Sequence, residues 1–109
     1  MRKLEFITME GLLEMFENKG SFKLVEVLAK EEYDKGHIPG AINIPLDELK
    51  TLVKQKLKKT DTIVVYCASY ACHASTKAAR RLLDLGYQHI LDFKGGKRWW
   101  QHAGLQLEK

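Results

Sequence analysis

The chain has 109 residues, with 18 Lys and Arg against 14 Asp and Glu, a formal charge of +4. Such a length fits one domain spanning 1–109 and excludes a multidomain layout. Hydrophobic residues at 45% and charged residues at 29% exclude a disordered chain. The longest apolar run, Ile63 to Ala68, falls far short of the roughly 20 residues a membrane helix needs. Met1-Arg2-Lys3 leads into no apolar h-region, so no secretory signal is read there and a cytoplasmic location is expected. The basic excess is small and dispersed, without aromatic interleaving, so neither a nucleic-acid nor a membrane partner is expected.

In chain order, Thr8 is placed to cap a helix whose face carries Met9, Leu12, Leu13 and Phe16, ending near Gly20. Phe22 to Leu28 reads as a strand, and Ala41 to Ile44 as another. Pro45 introduces a second helical stripe of Leu46, Leu49, Val53 and Leu57. The lysines from Lys54 to Lys59 read as its solvated end, in keeping with the helix dipole. Ile63 to Tyr66 is a run of β-branched and aromatic residues, a central strand buried on both faces. Ser75 is placed to cap a third helix with Ala78, Ala79, Leu82 and Leu83 inward and Gly86 as its stop. His89 to Phe93 forms a last strand, and Gly96 to Ala103 a last helix ended by Gly104. Adjacent Trp99 and Trp100 cannot share a helix face, and Trp100 is expected inward. This alternation predicts an α/β fold: a mostly parallel central sheet with helices on both faces.

Chemistry in such sheets collects at the carboxyl edge. Cys67 leaves the sheet there, directly after Ile63–Tyr66, and Ala68-Ser69-Tyr70-Ala71-Cys72-His73-Ala74 leads to the next helix. Backbone N–H groups of a short loop entering a helix N-terminus form a nest for an anion. The first anion it would hold is the Cys67 thiolate. Lowering a thiol pKa from about 8.5 to about 6.5 takes roughly 2.7 kcal/mol. A helix end and two or three charge-assisted N–H bonds are of that size. The same pattern also suits a small buried apolar cysteine at a strand end. The only other cysteine is Cys72, so a disulfide scaffold is excluded. One C-x4-C with scattered histidines has no metal-site spacing, and no metal or cofactor is expected.

Several motifs agree with one family. Glu31-Glu32-Tyr33 with Gly36-His37-Ile38-Pro39-Gly40-Ala41-Ile42-Asn43-Ile44-Pro45, the strand-borne Cys67, and Gly95-Gly96 with Trp100 and Ala103-Gly104 resemble rhodanese-like domains. The resemblance covers about Leu24 to Gly104. It implies a single-domain sulfurtransferase in which Cys67 is the nucleophile and carries a persulfide. The loop from Ala68, Ser69, Tyr70, Ala71 and Cys72 to His73 and Ala74 would hold the small anionic sulfur donor, such as thiosulfate, and the terminal sulfur. The acceptor would be cyanide or a thiol, either a small molecule or a thioredoxin-like protein, reached by ping-pong kinetics. His37 reads as a hydrogen-bonder of its turn rather than a base.

Three departures from the family qualify this expectation. Val25-Glu26-Val27-Leu28 replaces the usual Asp-Val-Arg, so a structural charge pair is expected to be absent. The loop is longer than usual and holds no arginine or lysine, leaving anion binding to amides. Counting to the arginine position of the Cys-x5-Arg phosphatases reaches His73, which disfavours phosphoryl chemistry. Cys72 is the third departure, a candidate resolving thiol. Its attack on a Cys67 persulfide would make the protein a thiol–disulfide or persulfide reductase. A non-catalytic sulfur-carrier module is the remaining alternative.

Overall fold

The computed structural model describes residues 4–18 and 21–109. Met1-Arg2-Lys3 and the helix end expected at Gly20 lie outside them. Five strands form one parallel sheet: β1 (Glu5–Phe6), β2 (Lys23–Glu26), β3 (Ile42–Asn43), β4 (Thr62–Tyr66) and β5 (His89–Phe93), in the order β1-β5-β4-β2-β3. Among the described residues five helices connect or follow them: α1 (Met9–Glu17), α2 (Lys30–Lys35), α3 (Leu49–Lys56), α4 (Ala74–Asp84) and α5 (Gly96–His102). A 3-10 turn, Leu46–Glu48, precedes α3.

The period-two alternation of β4 divides the core. Ile63 and Val65 face one side with Leu49, Val53, Ala78, Ala79 and Leu82 of α3 and α4. Val64 and Tyr66 face the other with Met9, Leu12 and Trp100 of α1 and α5. Ile63, Val64, Val65 and Tyr66 of β4 are fully buried, as expected for a strand covered on both faces. Trp100 points inward while Trp99 remains 42% exposed, following the sequence reading.

Two elements escape periodicity. β1 is two residues long, pairing Glu5 with Leu91 and Phe6 with Asp92. α2 has no buried face. It is supported by exposed pairs, Lys30–Asp34 at 2.8 Å and Glu32–Lys35 at 3.0 Å, worth about 0.3–0.5 kcal/mol each. Tyr33 anchors it: its hydroxyl donates to the Ala41 carbonyl at 2.5 Å, and its ring stacks on His37 at 3.9 Å. His37 is 6% exposed, with Nδ1 3.2 Å from the Tyr33 carbonyl and Nε2 3.3 Å from Glu108. Its backbone exchanges two 2.8 Å hydrogen bonds with Glu108, which pins the C-terminal segment. His37 therefore belongs to the packing of its turn.

The charge pair expected to be missing is present in another form. Glu26 is fully buried, and Lys97 Nζ lies 2.9 Å from its Oε2. The Tyr66 hydroxyl donates to Oε1 at 2.8 Å and accepts from the Ile38 amide at 3.1 Å. Counting only the two residues after Glu26 for an arginine misses a cation supplied from α5. Burial holds the Glu26 carboxyl above its ordinary 4.5, against the pull of Lys97 and Tyr66.

A raised folded-state pKa means that the native state binds the proton more tightly than the unfolded chain. This contribution to stability is complete below about pH 4.5 and is lost as pH rises through the folded value. Unfolding free energies of the wild type minus those of Glu26→Gln, measured by urea titration from about pH 4 to 8, should therefore fall with pH. A flat or rising difference would contradict the assignment.

Candidate active site

Cys67 begins where β4 ends, and the backbone there is held from the far side. The first amides of α5 donate to it, Lys97 N to the Cys67 carbonyl at 3.0 Å and Arg98 N to that of Ala68 at 2.9 Å. This approach requires Gly96. It has φ +63°, and an added Cβ would overlap the Cys67 carbonyl oxygen and lie 2.9 Å from the Ala68 carbonyl carbon. The close passage at Gly96 thus lets the start of α5 hold the Cys67 carbonyl.

The Cys67 side chain is fully buried on the α3/α4 side of the sheet. Its Sγ lies 3.4 Å from the Cys72 carbonyl oxygen and 3.5 Å from Ser75 Oγ. Ser75 was the expected cap of α4, but the helix starts two residues earlier than that cap implies, with His73 at the cap. Ser75 instead sits inside the first turn, fully buried against the thiol. Its hydroxyl and amide are the groups that favour the Cys67 thiolate.

The loop does not lower the Cys67 pKa as the sequence reading expects. Burial pushes the Cys67 thiol up, and its hydrogen bond to Cys72 and the charge there push the same way. Cys72 moves oppositely. Burial disfavours its charged form, but the Cys67 thiol, the amides of Ala74 and Ala68, and Lys94 outweigh that and bring it below the ordinary thiol value. The amides of Ala74 and Ala68 thus favour the charged form of the second sulfur. Cys67 faces a carbonyl, an acceptor that keeps its proton in place. Of the two thiols, Cys72 is the more readily ionised.

The remaining loop residues divide by role. Cys72 N donates to the Ser69 carbonyl at 3.0 Å, closing the loop upon itself. Ala68, Tyr70, Ala71 and His73 are exposed, while Ser69 and Ala74 are half-buried. Tyr70 turns its ring to the edge of Trp99 at 5.7 Å. A cation missing from the loop sequence arrives from the turn after β5. Lys94 Nζ donates to the Cys72 carbonyl at 2.5 Å and lies 3.3 Å from His73 Nδ1. Parallel pairing of β5 with β4 places their carboxyl ends side by side, a relation that could have pointed to Lys94. Thr76 Oγ1 donates to buried Asp92 at 2.7 Å, tying the first turn of α4 to β5. Among the described residues, no three His, Cys, Asp or Glu side chains cluster as a metal would require.

This buried strand-end thiol beneath a helix N-terminus coincides with a family match. Residues 8–103 match the family described as Rhodanese-like domain. The chain belongs to the rhodanese-like domain family. Among curated relatives, it is 38% identical over 74 residues to thiosulfate sulfurtransferase PspE of Escherichia coli, covering 67% of this chain and 69% of that one. It is 38% identical over 90 residues to HTH-type transcriptional regulator Rv0324 of Mycobacterium tuberculosis, covering 83% of this chain and 39% of the regulator. It spans less than half the length of several such relatives. The solution structure of the rhodanese-like domain from the Anabaena sp Alr3790 protein superposes with a TM-score of 0.86 at 26% identity, covering 97% of this chain and 80% of that one. The rhodanese-like sheet and helices thus follow the expected α/β architecture. Among the described residues, no helix is long and apolar enough to cross a membrane.

Two measurements probe this arrangement. Gly96→Ala should destabilise the protein by about 2–4 kcal/mol, read as a lower Tm, because a backbone contact must open; an unchanged Tm would refute the close approach. Ser75→Ala removes a group that favours the Cys67 thiolate. The pH midpoint of Cys67 alkylation, followed by peptide mass mapping, should then move upward, with Cys72 alkylated first in both proteins.

Proposed function

We propose that this rhodanese-like protein is a sulfurtransferase that moves sulfane sulfur through a persulfide on Cys67. The observation that supports this most directly is the placement of the Cys67 sulfur. It lies at the carboxyl end of the central strand, against the first turn of α4 and one hydrogen bond from the carbonyl of a second cysteine. Membership of the rhodanese-like family supports sulfur transfer as the reaction class. A thiosulfate sulfurtransferase among the relatives supports thiosulfate as donor.

The first half-reaction follows from the thiol pair. The Cys67 proton passes to the Cys72 thiolate, which acts as general base. The Cys67 sulfur then bonds to the outer sulfur of thiosulfate, the S–S bond of the donor breaks, and sulfite leaves with the electron pair. The amides from Ala68 to Ala74, with Lys94 at the end of the loop, would receive the negative charge of the donor and of the terminal persulfide sulfur. In the second half-reaction an acceptor nucleophile, cyanide or a thiol, takes that sulfur and Cys67 departs as thiolate. The full route requires no oxidant. The hydrogen bond from Cys67 to the Cys72 carbonyl, which holds the two cysteines close, favours a second reading in the same site. The Cys72 thiolate attacks the inner sulfur of the persulfide, forming a Cys67–Cys72 disulfide and expelling sulfide, and an external thiol restores the pair. We place the protein in the cytoplasm, where such thiols remain reduced.

Intact mass and turnover with thiosulfate, for the wild type, Cys67→Ser and Cys72→Ser, test this reading. A gain of one sulfur should require Cys67 and persist without Cys72, with turnover of Cys72→Ser reduced about 10²-fold or more by loss of the base. A persulfide that forms in Cys72→Ser but releases no sulfide, where the wild type releases it, would establish the disulfide route. No adduct from any sulfane donor would refute both.

A further inference from the structure

The loop segment between the two cysteines forms one wall of a cleft of about 350 Å³. Ser69, Tyr70 and Ala71 line one side, and Gly95, Arg98 and Trp99 the other. The hydrogen bond from Arg98 N to the Ala68 carbonyl at 2.9 Å fixes the spacing between these walls. A volume of this order suits a small organic ligand, whereas thiosulfate or cyanide would leave most of it unfilled.

The lining has a definite chemistry. Tyr70 and Trp99 are 56% and 42% exposed, unusual for large aromatic side chains. They are not loosely disposed. Their rings meet edge to face at 5.7 Å and 78°, and Trp99 is backed by His102, stacked at 5.1 Å and 12°. Arg98 supplies a cation, and none of the ion pairs among the described residues involves it. Lys94 and Lys97 are already engaged, with the Cys72 carbonyl and with Glu26. A preformed aromatic wall beside an uncommitted guanidinium takes a short carbon chain ending in a carboxylate.

We propose that this cleft binds the sulfur acceptor, a low-molecular-weight thiol carrying a carboxylate, with Arg98 holding the carboxylate and Tyr70 and Trp99 packing on its carbon chain. This assignment rests on the Cys67 persulfide reading and specifies its second half-reaction. The thiol of the acceptor gives its proton to solvent, and the resulting thiolate bonds to the outer sulfur of the persulfide. The bond between that sulfur and Cys67 breaks, and Cys67 leaves as thiolate. The sulfur changes carrier and nothing is oxidised overall.

The test uses the full chain loaded with sulfur by thiosulfate and unloaded in single turnovers, followed by intact mass. Two thiols of equal length serve as probes, 3-mercaptopropionate and 3-mercaptopropanol. In the wild type the carboxylated thiol should half-saturate at about 10-fold lower concentration, the effect of one partly exposed charge-assisted contact. Arg98→Gln should reduce that ratio to about one. Equal half-saturation in the wild type, or a ratio retained in Arg98→Gln, would overturn the proposal. So would unloading that saturates only with a protein thiol, which would assign the aromatic wall to a macromolecular partner.

A second arm does not depend on sulfur transfer. In Cys67→Ser, which cannot load, the unreactive 3-(methylthio)propionate should quench tryptophan fluorescence saturably, and Trp99→Phe should remove the signal because Trp100 is buried. If Cys67 never loads but this quenching is present and lost in Arg98→Gln, the persulfide reading fails and the cleft assignment stands. Absence of saturable quenching overturns the cleft assignment itself.

Discussion

The carbonyl groups of Cys67 and Ala68 accept hydrogen bonds from the first amides of α5, and this contact organises both faces of the site. On the loop side it fixes where the chain leaves β4 and therefore where the Cys67 sulfur lies. On the helix side it demands a residue without a Cβ at position 96. It also sets the root of Lys97 so that its ammonium reaches Glu26 on β2, across the sheet from the loop. A buried carboxylate, an α5 lysine and the strand-end carbonyl thus form one continuous support.

Within that support the charge distribution is asymmetric. A buried thiol facing a carbonyl and a half-buried thiol facing amides and a lysine divide the work of one reactive sulfur. Acidity alone would choose Cys72 as the nucleophile. Position favours Cys67, which lies at the strand end beneath the helix that an incoming anion would meet. In the proposed reaction the less acidic sulfur reacts and the more acidic one serves as its base. This offers an alternative to direct activation of the nucleophile by a helix end, which burial opposes here.

The parts of the fold legible in the sequence are those written in periodicity. Ile63 to Tyr66 announces a doubly covered strand, and Ala78, Ala79 and Leu82 announce the helix that covers it. β1 is too short to carry a period, and α2 has none because it is polar on every side and held by Tyr33 and ion pairs. At the site, Cys67 was legible from its place after the strand. Ser75 was legible only as a helix starter, since its role depends on the helix beginning two residues earlier. Lys94 and Lys97 lie far from the loop in the chain and reach it only through the lateral order of the strands, which local pattern does not contain.

That same lateral order governs how the molecule meets its own copies. Both outermost strands, β1 and β3, have two residues each, so the sheet offers almost no ladder of unpaired backbone groups at either margin. The most apolar strand, β4, is enclosed between β5 and β2. A segment as rich in β-branched residues as Thr62–Tyr66 would be an aggregation hazard at a margin. In the interior it is sealed while the domain remains folded, so the folded protein is protected from amyloid-like strand addition without needing charged gatekeepers along β4 itself.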